Sequence, residues 1–134
     1  MDIRQITPAY ASAPQIDPAD AGAIKAAGFV TVICNRPDAE VPPSHQADAV
    51  RAAIEAEGLT FVVNPVTHQG LNADMVALQA QAAASGKTLA YCASGTRSTI
   101  VWALGQAGKM DPDDIIAAAA TGGYDISGLR DRLG

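Results

Sequence analysis

The sequence predicts one α/β domain over residues 1–134, a mostly parallel central sheet flanked by helices on both faces. Three observations carry that prediction. Short apolar runs at Phe29 to Cys34, Thr60 to Val66 and Thr88 to Tyr91 have the length and the bounding residues of buried strands. Each is followed, after a turn, by a stretch of helical composition with a helix-start residue. Such alternation pairs the strands in parallel and lays the intervening helices over both faces of the sheet.

The elements follow in order. Ile3 to Ile6 and Tyr10 to Ala13 are short and suit a small N-terminal β element. Asp17-Pro18 is an N-cap and first-turn pair, and Ala21, Ile24, Lys25 and Ala27 continue a helix that Gly28 stops. Phe29 to Cys34 reads as a strand apolar on both faces, broken by Asn35-Arg36-Pro37-Asp38. A proline-rich loop then runs to Ser44, which opens a helix ending at Gly58. After the Thr60 to Val66 strand, Asn72 caps a third helix closed by Ser85-Gly86. Thr88 to Tyr91 precedes a helix over Ser98 to Gly108. Asp111-Pro112 starts another through Ala120, and Ile126 to Leu133 forms a short terminal one.

Composition narrows the function. With 49% hydrophobic residues the chain can bury one real core. Its formal net charge of −5 and 4% aromatic content give neither a basic stripe nor a stacking platform, so nucleic acid is not an expected partner. No apolar stretch approaches membrane-spanning length, and Met1-Asp2-Ile3-Arg4 lacks a signal-peptide pattern, so a cytoplasmic location is expected and a membrane partner is not. Two cysteines make no disulfide framework, and with the separated His45 and His68 they make no zinc site. No metal and no cofactor are expected. The oligomeric state is not readable.

Ligands of open α/β sheets sit at the carboxyl ends of the strands. Here the most informative stretch lies there: Cys92-Ala93-Ser94-Gly95-Thr96-Arg97-Ser98, small residues holding one cysteine and one arginine between a strand and a helix. The free N–H groups and positive dipole end of that helix face the loop. With Arg97 they favour the thiolate of Cys92, the nucleophilic form. Arg97 offers a planar fork of donors matched to an oxyanion. Gly95 permits a positive φ and close backbone approach, and Ser94, Thr96 and Ser98 add hydroxyl donors. A small anionic substrate is expected. No Asp or Glu occurs between Asp74 and Asp111, whereas Lys87, Arg97 and Lys109 do, in keeping with an anion site or simply with a buried centre.

Thr31-Val32-Ile33-Cys34-Asn35-Arg36-Pro37-Asp38, the Tyr91 to Ser98 stretch and Gly123-Tyr124-Asp125-Ile126-Ser127-Gly128-Leu129-Arg130 together resemble the bacterial beta-lactamase hydrolase-like protein, phosphatase-like domain family. The resemblance implies a fold like that of the cysteine-dependent protein tyrosine and dual-specificity phosphatases. Some members are fused to a metallo-β-lactamase-like persulfide dioxygenase, which implies a persulfide-oxidising partner protein. By resemblance, Cys92 is the nucleophile, Arg97 the oxyanion ligand, and the loop from Ala93 to Ser98 the hydrogen-bonding cradle.

Two departures set the chemistry expected first. Phosphatases of this fold place five residues between nucleophile and arginine; here only four intervene, as in the rhodanese-like sulfurtransferases. The segment matching the phosphatase acid loop, Val66-Thr67-His68-Gln69-Gly70, holds no carboxylate. His68 is an accessory candidate as proton donor, against the plainer reading of a solvated loop histidine, and Asp38 is another. Sulfite and thiolate leave without protonation. The leading expectation is therefore a sulfurtransferase that carries a sulfane sulfur from thiosulfate or a persulfide on Cys92. The alternative is a phosphatase, a hydrolase acting through a phosphocysteine at Cys92. A third reading is a redox or persulfide sensor in which Cys34 pairs with Cys92, against a merely buried Cys34. Arg36 is a further accessory candidate, as a second positive charge or as a turn residue set against Asp38.

Overall fold

In the computed structural model, which describes residues 1–67 and 69–134, five strands form a single sheet in the order β1-β2-β5-β3-β4. They are β1 (Arg4–Thr7), β2 (Tyr10–Ala13), β3 (Thr31–Cys34), β4 (Thr60–Val63) and β5 (Thr88–Tyr91). β2, β5, β3 and β4 are mutually parallel, and only the β1–β2 hairpin is antiparallel. The N-terminal β element is thus built into the main sheet through β2.

The helices are α1 (Ala21–Ala26), α2 (Ala47–Ala56), α3 (Ala73–Ala83), α4 (Thr96–Gln106), α5 (Pro112–Thr121) and α6 (Arg130–Leu133). Strand side chains alternate between faces, and the core divides accordingly. Val32, Cys34, Leu89 and Tyr91 pack with Ile24, Val50 and Ile54 of α1 and α2. Ile33 and Ala90 pack with Trp102, Ile115 and Leu133 of α4, α5 and α6 on the other face. Each fully buried aliphatic side chain here contributes about 1.5–3 kcal/mol of transfer free energy. Trp102 is core, stacked on Tyr10 with ring centroids 5.8 Å apart.

Several boundaries differ from the sequence reading, among them β3 starting at Thr31 and α4 at Thr96, and two have a clear local reason. α2 begins at Ala47 rather than Ser44, because Pro43–His45 forms a separate 3-10 turn. The helix is capped from upstream, where Asp38 Oδ1 accepts the Ala47 N–H at 2.8 Å. β4 ends at Val63 rather than Val66: the Asn64 and Val66 N–H groups still reach Cys34 O and Asn35 O, but Pro65 between them has no N–H for the ladder, and the Asn64 side chain donates to Met75 O of α3 at 2.9 Å. The predicted caps are in place at Asp17, which accepts from Ala19 N, and at Asn72, which accepts from Met75 N. Among the described residues no helix is long and apolar enough to cross a membrane.

Candidate active site

β2 and β3 flank β5, so the turn after Tyr91 is held from both sides. Cys92 N–H donates to Ala13 O and Gln15 N–H to Ala93 O, tying the turn to the end of β2. The chain then reverses through Gly95, the N-cap of α4, at φ +94°. This left-handed backbone aims the Gly95 N–H at Cys92 Sγ, 3.1 Å away. Glycine is required there on two counts. A side chain is strained at that φ, and a Cβ would overlap the Tyr124 hydroxyl, which donates to Ser94 O at 3.0 Å. The positive φ expected at Gly95 is present, and the group packed against it is Tyr124.

Cys92 is fully buried, whereas Ala93, Ser94 and Thr96 are exposed on the rim. Among the described residues no protein acceptor takes the backbone N–H groups of Arg97 and Ser98 in the first turn of α4. These N–H groups, the Gly95 N–H and Arg97 lie together at the turn where the sequence reading expects an anion cradle.

Arg97 is 7% exposed, and its donors are divided. Nη1 donates to Glu40 Oε2 at 2.9 Å and to Val66 O at 2.8 Å, and Nη2 donates to Glu40 Oε1 at 2.7 Å. A guanidinium carries five N–H donors. The pair to Glu40 uses its end, and Val66 takes the Nη1 hydrogen on the Cδ side. What remains is the edge formed by Nε and the outer hydrogen of Nη2, which matches an oxyanion. The Glu40 carboxylate, with burial opposing it and the neighbouring Cys92 sulfur assisting, holds Arg97 charged. Arg97 in turn holds the Glu40 carboxyl below the usual carboxylate range, with Arg36 adding to the effect. The gap in acidic residues along the sequence is thus not a gap in space.

Below the loop lies a buried layer of amides and hydroxyls. Asn35 Nδ2 donates to Asn64 O and to Gln79 Oε1, each at 2.9 Å, and Gln79 Nε2 donates to Tyr10 OH at 3.0 Å. Ser98 Oγ donates to Asn35 Oδ1 at 2.8 Å, so this hydroxyl faces the layer and not the cradle, correcting its expected role. Thr99 Oγ1 bonds Gly95 O and Ser12 Oγ, both at 2.8 Å. Each buried polar group here is matched by another, which fixes the ends of β2, β3 and β4 and the start of α4 as one unit.

The accessory candidates fall into place as follows. Arg36 does join the site, through Glu40 at 3.3 Å and Gln15 at 3.2 Å rather than through Asp38. Asp38 is committed to the α2 cap, which removes it as a proton donor to the cradle. Cys34 is 2% exposed, donates to Arg36 O at 3.3 Å and packs with the α1–α2 core. His68 lies outside the described residues.

Sequence reasoning missed Glu40 and the amide layer. Arg36 and Glu40 share i,i+4 spacing across a strand-end loop, the one local hint of an ion pair there. Nothing local reveals Arg97 as the second partner, 57 residues away. Asn35, Asn64 and Gln79 meet only through the fold.

The family model for the beta-lactamase hydrolase-like protein, phosphatase-like domain matches residues 2–109. The chain belongs to this family. A beta-lactamase hydrolase-like protein of Xylella fastidiosa is 35% identical over 103 residues, which cover 74% of this chain and 24% of that protein. The chain thus spans about a quarter of the length of the curated relatives it matches. A candidate phosphatase of Neisseria meningitidis superposes with a TM-score of 0.84 at 32% identity, covering 99% of this chain and 96% of that one. A cysteine-to-serine variant of Pseudomonas aeruginosa TpbA in complex with pTyr shares the fold at a TM-score of 0.66 and 14% identity, covering 98% and 80%. The fold is that of the protein tyrosine and dual-specificity phosphatases, and the sulfur transfer expected first from the loop length finds no support among these relatives.

Proposed function

We propose that this protein hydrolyses phosphate monoesters through a phosphocysteine on Cys92, with Arg97 and the loop N–H groups from Ala93 to Ser98 as the oxyanion cradle. The observation that carries this reading is the donor set of Arg97: Glu40 and Val66 hold the end and the Nη1 side of its guanidinium, which leaves the Nε–Nη2 edge with no oxygen acceptor among the described residues. The Cys92 thiolate attacks phosphorus, the S–P bond forms, and the P–O bond to the leaving group breaks with its electron pair on oxygen. Arg97 and the N–H groups stabilise the equatorial oxygens as charge spreads over them. Water then displaces the thiolate and yields inorganic phosphate. Glu40 and Arg36 are positioning residues that hold the arginine fork in plane.

Among the described residues of the loop after β4 there is no carboxylate, and Glu40, locked between two arginines, is a poor acid. The reaction therefore favours leaving groups that depart unprotonated, aryl phosphates before alkyl phosphates. Acid-quenched intact-protein mass measurement during turnover of para-nitrophenyl phosphate tests the reading. A phosphoryl adduct on the wild-type chain that is absent from Cys92→Ser supports it; turnover surviving in Cys92→Ser overturns it.

One observation keeps sulfur transfer as a second reading: only four residues separate Cys92 from Arg97. In that reaction the thiolate takes the outer sulfur of thiosulfate, sulfite leaves, and the Cys92 persulfide passes its sulfur to an acceptor thiol. An adduct of one sulfur, removed by cyanide, distinguishes it from the phosphocysteine. A persulfide-oxidising partner belongs to this reading alone.

A further inference from the structure

A cavity lined by two arginines shares Arg97 with the cradle. With a volume of about 240 Å³, it begins at Arg97 and runs between the loop after β4, helix α4 and the C-terminal helix α6. Its apolar walls are Leu71, Ile100 and Leu129, Thr67 supplies a hydroxyl, and Arg132 lines it together with Arg97. No Asp or Glu is among its described lining residues. Within α6 the two arginines are used differently. Arg130 is spent on Asp113 at 2.6 Å, whereas Arg132 meets no carboxylate among the described residues. An acidic chain thus keeps a cation without a carboxylate partner in a cavity shared with its oxyanion ligand.

We propose that this cavity is the leaving-group subsite, and that Arg132 recognises a second anionic group on the substrate; the inference rests on the phosphatase reading above. The substrate class is a small aryl phosphate bearing a second negative charge. The phosphate occupies the cradle, the ring lies between Leu71, Ile100 and Leu129, and the second anion reaches Arg132. Pockets for drug-sized ligands run to roughly 300–1,000 Å³, so this volume suits one ring and its substituent better than a folded partner or a lipid chain. An exposed arginine that gains a carboxylate partner at an apolar wall forms a charge-assisted pair, which favours the doubly charged ester.

The test compares phenyl phosphate with 3-carboxyphenyl and 4-carboxyphenyl phosphate as the ratio of kcat/KM, since a ring carboxylate also alters the leaving group itself. The better carboxylated ester is expected to be preferred by about fivefold, the upper end for one exposed ion pair. The preference is expected to fall close to parity in Arg132→Gln and to persist in Arg130→Gln, whose side chain points to α5. Calorimetry on Cys92→Ser, which reads binding without turnover, should show the same order of affinities. Parity in the wild type, or a preference that survives Arg132→Gln, overturns the subsite and leaves the phosphatase reading standing. If wild type hydrolyses none of the three esters and Cys92→Ser binds none, the phosphatase reading falls and the subsite with it.

Discussion

Two cysteines stand at the ends of neighbouring strands of this sheet, and only one accepts a hydrogen bond in front of an α-helix start. Cys34 closes β3 and pairs in register with Tyr91, the residue just before Cys92 on β5. Both thiols are buried, so burial does not separate them. The turn that follows does. After Cys34 the chain runs into Asn35-Arg36-Pro37, and the thiol acts as a donor to Arg36 O at 3.3 Å. Desolvation pushes the Cys34 thiol up, only partly offset by the neighbouring Tyr91 hydroxyl and the Arg36 backbone. After Cys92 the chain reverses at Gly95, and the sulfur becomes an acceptor at 3.1 Å, in front of a helix start. The same residue type in the same core has opposite hydrogen-bond roles because one turn reverses through Gly95 into the 11-residue helix α4, whereas the other runs through Pro37 into only a three-residue 3-10 turn at Asp38–Glu40.

The sharpest way to break the comparison is to remove each sulfur in turn. Cys92→Ser is expected to abolish turnover of an aryl phosphate, while Cys34→Ser retains it; loss in both, measured as kcat on folded protein, would place Cys34 in the reaction. Next in size is Arg97→Lys. A lysine keeps the charge but cannot hold Glu40 bidentately and still present an open edge to an oxyanion. Removal of one oxyanion ligand costs on the order of 10²–10³ in kcat, and a steady-state assay that finds less than tenfold would show the cradle N–H groups to suffice alone.

The contrast between the cysteines was partly legible in the sequence. The strands, the caps at Asp17 and Asn72 and the position of Cys92 at a strand-to-helix turn are set by local pattern, and they stand in the fold. The roles of Ser98 and Asp38 were misassigned because a hydroxyl or carboxylate in a loop has no readable direction. Only the register of β3 against β5 brings Asn35 under Ser98, and only the proline-rich loop carries Asp38 to Ala47. Glu40 was invisible for the same reason. Long-range polar pairing is decided by topology, while apolar periodicity is decided locally.

The reversal at Gly95 can be tested without touching either sulfur. Gly95→Ala forces a side chain into φ +94° and into the Tyr124 hydroxyl. A non-glycine residue held in that region costs on the order of 1–3 kcal/mol. The variant is expected to lose stability by that amount in denaturant unfolding and to lose turnover as the Gly95 N–H swings off Cys92. Tyr124→Phe in the Gly95→Ala background recovers part of the stability, since the hydroxyl is the nearest clashing atom. No recovery would mean that the strained φ, with the ring carbon beneath the hydroxyl, dominates over the hydroxyl contact.

The smallest effect sits at Cys34 and has a definite sign. Its thiol is raised in the folded protein, so the neutral form is the one the fold prefers. That preference contributes stability fully present below the ordinary thiol range and lost as pH rises through the raised folded value. Cys34→Ala removes the titrating group and leaves a small cavity, with a cost on the order of 1 kcal/mol near neutral pH. Thermal melts of the two proteins should therefore converge as the pH is raised into the alkaline range. A gap that stays constant would mean Cys34 contributes through packing alone. Iodoacetamide rates on native protein complete the contrast, because a buried donor thiol without an α-helix start in front of it should label more slowly than Cys92 at neutral pH. Equal rates would remove the turn as the cause of the difference between the two strands.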